Sequence, residues 1–322
     1  MMFRVLVALA LLAIAHPVSA SASALTILLT NDDGLTSNLV ALYAALKADG
    51  HDVIVSVPCT GQSGRGAAIV MYSTTVIVAD NDKTQVEAEG GCHNGAAPIG
   101  APAVGTMQRS GYTNGDFHYV HGSPVMATMY GLDVLAKARW GKAPDVVLSG
   151  PNEGQNVGLI VNSSGTIANA QFASGRGIPA IALSAGTDTV DNANLADPDS
   201  ATVATLTLKL LGELRARAGK GRRLLPEGLS LNVNFPNAPK LTSEFAFARI
   251  GSFQLYNLQF RGTAPYGLGV TFNDPQTATA WEREDEAIVS LTRVSVTAMQ
   301  VSYDHNPLAQ HWLKHQLRRL FR

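Results

Sequence analysis

The fold class of this 322-residue chain is decided by residues 25–58, which read LTILLTNDDGLTSNLVALYAALKADGHDVIVSVP. An apolar run rich in β-branched residues opens the stretch at Leu25 to Thr30, and a second apolar run follows at Val53 to Val57. Between them, Ser37 to Asp49 carries leucine and tyrosine at helical spacing and is followed by Gly50. Strand, helix and strand in this order predict a right-handed βαβ unit with parallel strands.

The same alternation of strand and helix continues along the chain. Helices are predicted to begin with Ser123 as the N-cap residue and near Thr166, and a long amphipathic helix is predicted at Ala201 to Ala218. Strands are predicted at Asp145 to Ser149, Pro179 to Ser184 and Leu229 to Asn234. We therefore predict an α/β fold with a doubly wound, mostly parallel sheet.

Two regions depart from this pattern. Periodicity fades between Gly61 and Gly122, and Glu87 to Asp116 is dense in Gly, Ala, Asn and Pro, which predicts a long surface loop or hairpin excursion. From Phe245 onward the pattern is strand-like and broken by Gly and Pro. There we predict a C-terminal β-hairpin extension, with strand segments at Ile288 to Leu291 and Val294 to Val301 and a closing helix from Pro307 to Phe321.

Composition restricts the class of protein. The chain is 46% hydrophobic and 15% charged, which predicts a large buried core and order for the bulk of the chain. A formal net charge of −1 supplies no general attraction for a nucleic-acid duplex or an anionic membrane surface. Any phosphate must therefore be bound by local groups.

The N-terminus has the pattern of a secretory signal peptide. Arg4 precedes an apolar run from Val5 to Ala15, which Pro17 and a series of small residues follow. The run is shorter than the roughly 20 residues that span a bilayer, so a retained anchor is the less favoured interpretation. We predict a signal peptide at residues 1–22, cleavage near Ala20, Ala22 or Ala24, and a periplasmic or secreted protein with no membrane association after cleavage. The mature domain would be residues 23–322.

The two cysteines, Cys59 and Cys92, both follow the signal peptide. In an oxidising compartment they can form a persistent disulfide, which is our prediction. Two separate buried thiols remain the alternative. A metal pair is less favoured because no CxxC or clustered Cys/His spacing accompanies them.

Four polar motifs follow predicted strands or open a helix. They are Asn31-Asp32-Asp33-Gly34, Gly61 to Gly66 (GQSGRG), Ser149 to Asn156 (SGPNEGQN) and Asn162 to Thr166 (NSSGT). Each has an ordinary structural explanation, since NDDG and GQSGRG suit turns, and Ser164 and Thr166 suit helix capping. Adjacent carboxylates at a strand end are nevertheless favoured by a hard cation between them, and hydroxyls and N–H groups at a helix N-terminus bind anions. A doubly wound sheet would bring all four motifs to one crevice.

In the same order, these motifs resemble those of the SurE family of 5′/3′-nucleotidases. The resemblance extends from about Leu25 to Pro236. It includes GSP at residues 122–124, DVVLSGPNEGQNVG at 145–158, SSGT at 163–166, GIPAIALS at 177–184 and LNVNFP at 231–236. Met126 departs from it, because many relatives carry an acidic residue there, and this departure concerns the substrate side of the pocket.

The resemblance implies a role for each site residue. It implies one divalent metal ion, Mg²⁺, Mn²⁺ or Ca²⁺, held by Asp32, Asp33, Ser63 and Asn152. It further implies that the phosphate is lined by Asn31, Asn156, Ser164, Gly165 and Thr166. Asp32, Asn31, Asn156 and Ser164 would be catalytic, with Asp32 acting as a general base or orienting the attacking water.

The predicted function is that of a metal-dependent phosphomonoesterase acting on nucleoside 5′- or 3′-monophosphates. The resemblance also implies a homodimer or higher homo-oligomer built through the region of about residues 245–322. A periplasmic small-molecule-binding protein is one alternative, although it would not need adjacent aspartates at a strand end. A catalytically silent SurE homologue is the other.

Overall fold

A computed structural model describes residues 24–72, 75–77, 90–189, 192–219, 221–263, 267–301 and 303–320. The predicted signal peptide lies outside the described residues. Among them, no helix combines the length and the apolar character needed to cross a membrane.

The fold is organised around a nine-stranded sheet with the strand order β3-β4-β2-β1-β5-β6-β7-β11-β8. Its strands are β1 (Thr26–Thr30), β2 (Asp52–Pro58), β3 (Val104–Thr106), β4 (Phe117–Val120), β5 (Val146–Glu153), β6 (Ala180–Ala185), β7 (Leu229–Asn234), β8 (Phe245–Ala248) and β11 (Val294–Gln300). The six strands from β4 to β7 in this order are parallel, β3 and β11 are antiparallel to their neighbours β4 and β7, and β8 is parallel to β11. The prediction of a mostly parallel sheet is thus confirmed.

The helices cover both faces of this sheet. They are α1 (Ser37–Ala48), α2 (Pro124–Tyr130), α3 (Ala136–Trp140), α4 (Gly165–Gly175), α5 (Pro198–Ala218), α6 (Glu286–Val289) and α7 (Pro307–Gln316), with a π-helical turn at Gly131–Leu135 between α2 and α3. Helix α1 packs against α5, and α2 packs against α4. In β1, Ile27 and Leu29 join the core under α1 and α5, whereas Leu28 joins the core under α4. This alternation makes the sheet doubly wound, as predicted.

The sheet places β1 at its topological switch point. The chain leaves β1 toward β2 on one side, and β5 pairs with β1 on the other. Because ligands of open α/β sheets bind beyond the carboxyl ends of the strands at such a point, the residues after Thr30 and after β5 are positioned for a site.

The C-terminal region contains the predicted hairpin extension. Strands β9 (Tyr256–Arg261) and β10 (Gly267–Phe272) pair with each other in an antiparallel two-stranded sheet, apart from the main one. Helix α7 follows β11, and every one of its residues is at least partly exposed.

Some boundaries differ from the sequence prediction. The expected strand at Ile288 to Leu291 is wrong, because Glu286–Val289 forms the short helix α6. A short apolar run does not by itself distinguish a strand from a buried helical turn. The closing helix ends at Gln316, earlier than the expected Phe321, which lies outside the described residues. The region between Gly61 and Gly122 contains β3 within the Gly-rich excursion and β4 directly after it, and β4 extends the main sheet beside β2.

Candidate functional site

The four polar motifs meet at the carboxyl edge of the sheet around one open cleft of about 400 Å³. From the motifs, the cleft is lined by Asp32, Ser63, Gly64, Asn152, Glu153, Gly154, Gln155, Asn156, Ser163 and Ser164. These residues come from the ends of β1, β2 and β5 and from the start of α4. The cleft therefore lies where the sheet topology places it.

The NDDG turn is held by its own asparagine. Asn31 is fully buried, its Oδ1 accepts from the Gly34 backbone N–H at 3.0 Å, and its Nδ2 donates to the Gly34 carbonyl at 2.7 Å. Gly34 has a φ of +85°, a conformation that favours glycine. Both polar groups of the Asn31 side chain thus shape the turn, and its proposed contact with phosphate stays a prediction.

Asp32 is buried at the floor of the cleft, with 3% of its surface exposed. Its Oδ1 accepts a hydrogen bond from the Thr166 hydroxyl at 2.6 Å. Burial raises the pKa of the Asp32 carboxyl well above its ordinary value, and the neighbouring charge of Asp33 raises it further. The ionised form of Asp32 is therefore costly unless a positive charge compensates it.

Asp33 lies beside the GQSGRG motif of residues 61–66. Its Oδ1 accepts from the Ser63 hydroxyl at 3.3 Å, and its Oδ2 lies 3.4 Å from the Glu153 backbone nitrogen. Burial and, next, the carboxylate of Glu153 raise the pKa of Asp33. Glu153 is a third acidic group at this place that the sequence motifs did not single out, and burial raises its pKa.

Asn152 and Asn156 are presented by an irregular end of β5. The register between β5 and β6 shifts between Ser149 and Asn152, where the Gly150–Pro151 peptide bond is cis. Asn152 lines the cleft and donates its Nδ2 to the Gly154 carbonyl at 2.8 Å, which leaves its Oδ1 to serve as an acceptor or metal ligand.

Asn156 is buried and held from several sides. Its side-chain Nδ2 donates to the Ser184 hydroxyl at 2.9 Å and to the Thr166 hydroxyl at 3.3 Å. Its backbone N–H donates to Asn234 Oδ1 at 2.7 Å. Asn156 thus reaches Asp32 through Thr166, and the three side chains form one hydrogen-bonded chain.

The start of α4 supplies donors to the same cleft. Ser164 is the N-cap residue of α4, and its hydroxyl accepts from the Ile167 N–H at 3.1 Å, as the capping interpretation predicts. It also lines the cleft. A Cβ atom at Gly165 would lie 2.6 Å from the Asp32 Cβ, so only glycine allows this approach of the helix to β1. A helix N-terminus in this position favours bound anions.

The chemistry of these groups fits a hard divalent cation. In the described part of the chain there is no group of three or more His, Cys, Asp and Glu side chains arranged to hold a metal, so a cation here would rely on two carboxylates and neutral oxygens. Asp32 and Asp33 are two buried carboxylates with raised pKa values. The groups that lower these pKa values are hydrogen-bond donors, and no basic side chain of the described residues is among them. Ser63 and Asn152 offer neutral oxygens beside them. An all-oxygen set of this kind suits Mg²⁺, Mn²⁺ or Ca²⁺.

The part of the cleft wall that the hairpin forms is apolar, and none of the sequence motifs predicts it. The hairpin contributes two cross-strand pairs, Tyr256 with Phe272 and Leu258 with Val270, and Ile160 adds to them. Tyr256 donates its hydroxyl hydrogen to Gln155 Oε1 at 3.0 Å, which ties the hairpin to the polar side. The period-two spacing in each strand was the available signal, but only the tertiary structure shows which face of the hairpin meets the cleft.

Known proteins resemble this chain in sequence and in fold. A family described as "Survival protein SurE" matches residues 27–257, more than half of the chain. An acid phosphatase of Yarrowia lipolytica is 34% identical over 218 residues, which cover 66% of this chain and 56% of that protein. The chain thus spans little more than half the length of that relative.

Other relatives match over nearly their whole length. A 5′-nucleotidase SurE of Thermosipho melanesiensis is 26% identical over 87% of this chain and 94% of that protein. A 5′/3′-nucleotidase SurE of Photorhabdus laumondii is 28% identical over 90% of this chain and 96% of that protein.

The fold also has a solved counterpart. The crystal structure of the SurE protein from Aquifex aeolicus superposes with a TM-score of 0.63 at 23% identity, covering 90% of this chain and 99% of that one. With the family match over residues 27–257, the chain belongs to the SurE family.

Proposed function

We propose that this protein is a metal-dependent phosphomonoesterase that hydrolyses nucleoside 5′- or 3′-monophosphates to nucleoside and phosphate. One observation carries the proposal. The buried carboxylate of Asp32 lines a cleft together with Ser63, Asn152 and the N-cap residue of α4. The adjacent buried carboxylate of Asp33 is tied to this cleft by the hydrogen bond that it accepts from Ser63. The SurE nucleotidases and the acid phosphatase among its relatives support the same reaction class.

Asp32, Asp33, Ser63 and Asn152 would hold the divalent cation. When bound, it would supply Lewis-acid polarisation of the phosphate ester and charge neutralisation. The raised pKa values of Asp32 and Asp33 support this assignment, because a cation offsets the cost of ionising both carboxyls.

The remaining polar residues would bind and orient the phosphate. Ser164, the N-cap residue of α4, lines the cleft and brings the positive end of the helix beside it. Thr166 holds Asp32 in one orientation through the 2.6 Å hydrogen bond, and Asn156 holds Thr166 in turn. In its ionised form, Asp32 would orient the attacking water or accept its proton.

The apolar wall would receive the leaving group. The edge-to-face pair of Tyr256 and Phe272, with ring centroids 5.3 Å apart, lines the same cleft as the polar motifs. An aromatic base can pack against such a surface, which a short polyphosphate cannot do. This supports a nucleoside monophosphate as the substrate class.

We also propose that the protein is exported and assembles as a homo-oligomer. The signal-peptide pattern of residues 1–22 supports export. Exposed apolar side chains on the hairpin and on α7, among them Phe260, Leu268, Leu308 and Trp312, support a self-association surface.

The direct test is phosphate release by the mature protein. A panel of nucleoside 5′- and 3′-monophosphates, p-nitrophenyl phosphate and short polyphosphate would be assayed with Mg²⁺, Mn²⁺ and Ca²⁺ and with a chelator. We expect turnover of the nucleotides that the chelator abolishes and that a divalent cation restores. A protein that binds these compounds without releasing phosphate would contradict the proposal.

A further inference from the structure

Residues 31–35, which we call the metal turn because they include the proposed ligands Asp32 and Asp33, lie between the end of β1 and the start of α1 and outside regular secondary structure. Carbonyl oxygens of this turn are satisfied by donors from other parts of the chain. The Asn31 carbonyl accepts from Asn169 Nδ2 at 3.1 Å, and the Asp32 carbonyl accepts from the Gln62 N–H at 2.7 Å. The carbonyls of Asp33 and Leu35 are reached from a different segment, residues 90–97, which we call the brace loop.

Two consecutive side chains of the brace loop hold the turn. His93 Nδ1 lies 2.6 Å from the Asp33 carbonyl oxygen, and Asn94 Nδ2 donates to the Leu35 carbonyl at 2.7 Å. Because a carbonyl oxygen can only accept, Nδ1 of His93 carries the hydrogen. The brace loop therefore bonds to the backbone of a proposed metal ligand.

A disulfide fixes the brace loop in this position. Cys59, directly after β2, is bonded to Cys92, and the His93 N–H donates to the Cys59 carbonyl at 2.6 Å. Both cysteines are buried. The loop is closed internally by the Cys92 N–H, which donates to the Ala97 carbonyl at 2.7 Å.

The contact between loop and turn is also close in space. A Cβ atom at Gly34 would lie 3.1 Å from the Pro58 carbonyl oxygen and 3.2 Å from the His93 Cβ. The end of β2, the brace loop and the metal turn are thus packed without room for a side chain. A displacement of His93 would be transmitted directly to the backbone of residues 33 and 34.

We propose that the brace loop is a positioning element of the metal site and that His93 is its positioning residue, acting through the backbone of Asp33. The Cys59–Cys92 disulfide makes this action possible by holding His93 against the turn. The inference rests on the proposed function for its catalytic consequence. Its structural part, that the loop orders residues 33–35, stands independently of it.

The test compares His93→Ala, His93→Asn and the double variant Cys59→Ala/Cys92→Ala with the wild type. Asparagine places an amide donor where His93 Nδ1 stands, so it should restore part of what alanine removes. His305→Ala serves as the matched control, because His305 is an exposed histidine outside the site. Three quantities are measured: Mn²⁺ affinity by calorimetry, kcat and KM for a nucleoside monophosphate, and amide hydrogen exchange of residues 32–36 in the metal-free protein.

We expect His93→Ala to weaken Mn²⁺ affinity by about 10-fold to 100-fold, as loss of an outer partner of a metal ligand does, and to lower kcat more than it raises KM. Amide exchange at residues 32–36 should be roughly 10-fold faster. The cysteine double variant should show the same changes, His93→Asn smaller ones, and His305→Ala none.

The measurements test the role of the brace loop and the proposed function separately. Unchanged exchange at residues 32–36 and unchanged Mn²⁺ affinity in His93→Ala would overturn the brace, whatever the enzyme's turnover. If the wild type bound no cation and released no phosphate, the proposed function would fail. The exchange data would then still decide the brace.

Discussion

Thr166, near the start of α4, donates its hydroxyl hydrogen to Asp32, near the end of β1, over 2.6 Å and a separation of 134 residues in sequence. The same hydroxyl oxygen lies 3.3 Å from the Asn156 amide nitrogen, which donates to it. Because Asp32 is buried, this bond selects one orientation of its carboxylate.

Replacing Thr166 with valine should therefore impair catalysis more than folding. Valine keeps the shape of the side chain but loses the hydroxyl, so Asp32 loses a hydrogen bond that lowers its pKa. We expect kcat to fall about 10-fold to 100-fold, while Thr166→Ser retains most of the activity. Steady-state kinetics of both variants check this, and wild-type kcat in Thr166→Val would show that the bond has no catalytic role.

Replacing Asp33 with asparagine should reduce metal affinity and activity together. One formal negative charge is lost from the proposed ligand set, while the crowding with Asp32 and Glu153 is relieved. The melting temperature of the metal-free variant should accordingly be equal to or higher than that of the wild type. If NDDG were only a turn, the variant would bind metal and turn over substrate like the wild type.

A matched control for this variant is Asp133→Asn. Asp133 is an exposed aspartate that pairs with Arg176, and it is not among the residues that line the cleft. Calorimetric metal binding and turnover should be unchanged in it. If Asp133→Asn lost as much metal affinity and turnover as Asp33→Asn, the loss would be due to the change in net charge and not to the proposed metal site.

Sequence could predict the part of the site that lies in short, ordered motifs. NDDG follows an apolar strand directly, so that its place at the carboxyl end of β1 followed from the pattern. His93 and the wall of Tyr256 and Phe272 have no such local signal. His93 is 60 residues from its partner Asp33 in sequence, and Tyr256 is 101 residues from its partner Gln155. Both contacts depend on how the Gly-rich excursion and the hairpin fold back onto the sheet.

The hairpin and α7 should mediate self-association. Leu308 and Trp312 on α7 are 80% and 62% exposed, which is unfavourable in a monomer. We expect light scattering to give at least a dimer mass at micromolar concentration and a lower mass for Leu308→Ser/Trp312→Ser. Gln310→Ala on the same helix is the control. A monomer mass for the wild type would contradict this prediction.

Export should remove the N-terminal segment. Cleavage after Ala20, Ala22 or Ala24 leaves a mature chain that begins at Ser21, Ser23 or Leu25. N-terminal sequencing of the protein from the exported fraction checks this. Recovery of a chain that still carries Arg4 would contradict cleavage.

In the metal-free protein, Asp32 and Asp33 should lower the free energy of unfolding as pH rises. Carboxylates that pair with basic side chains have the opposite effect. The pKa values of Asp32 and Asp33 are raised in the folded protein above their ordinary value of 3.8. Between that value and neutral pH the folded state therefore binds more protons than the unfolded state, and the free energy of unfolding falls as pH rises. Glu286, whose pKa burial raises to about 8, contributes with the same sign.

Buried histidines change the free energy of unfolding in the opposite direction as pH rises. The effect of Asp33 is therefore measured as the difference between the wild type and a variant. Burial lowers the pKa of His51 and His118, which adds stability as pH rises. The melting temperatures of wild type and Asp33→Asn would be compared in chelator at about pH 5 and about pH 8. We expect the melting temperature of the variant to rise relative to that of the wild type as pH rises, because one buried carboxylate no longer ionises.

Added Mn²⁺ at the higher pH should raise the melting temperature of the wild type more than that of the variant, since only the wild type keeps both carboxylate ligands. A difference between the two proteins that stays constant with pH would show that Asp33 ionises without cost in the folded state, and the case for a cation beside it would lose its electrostatic basis.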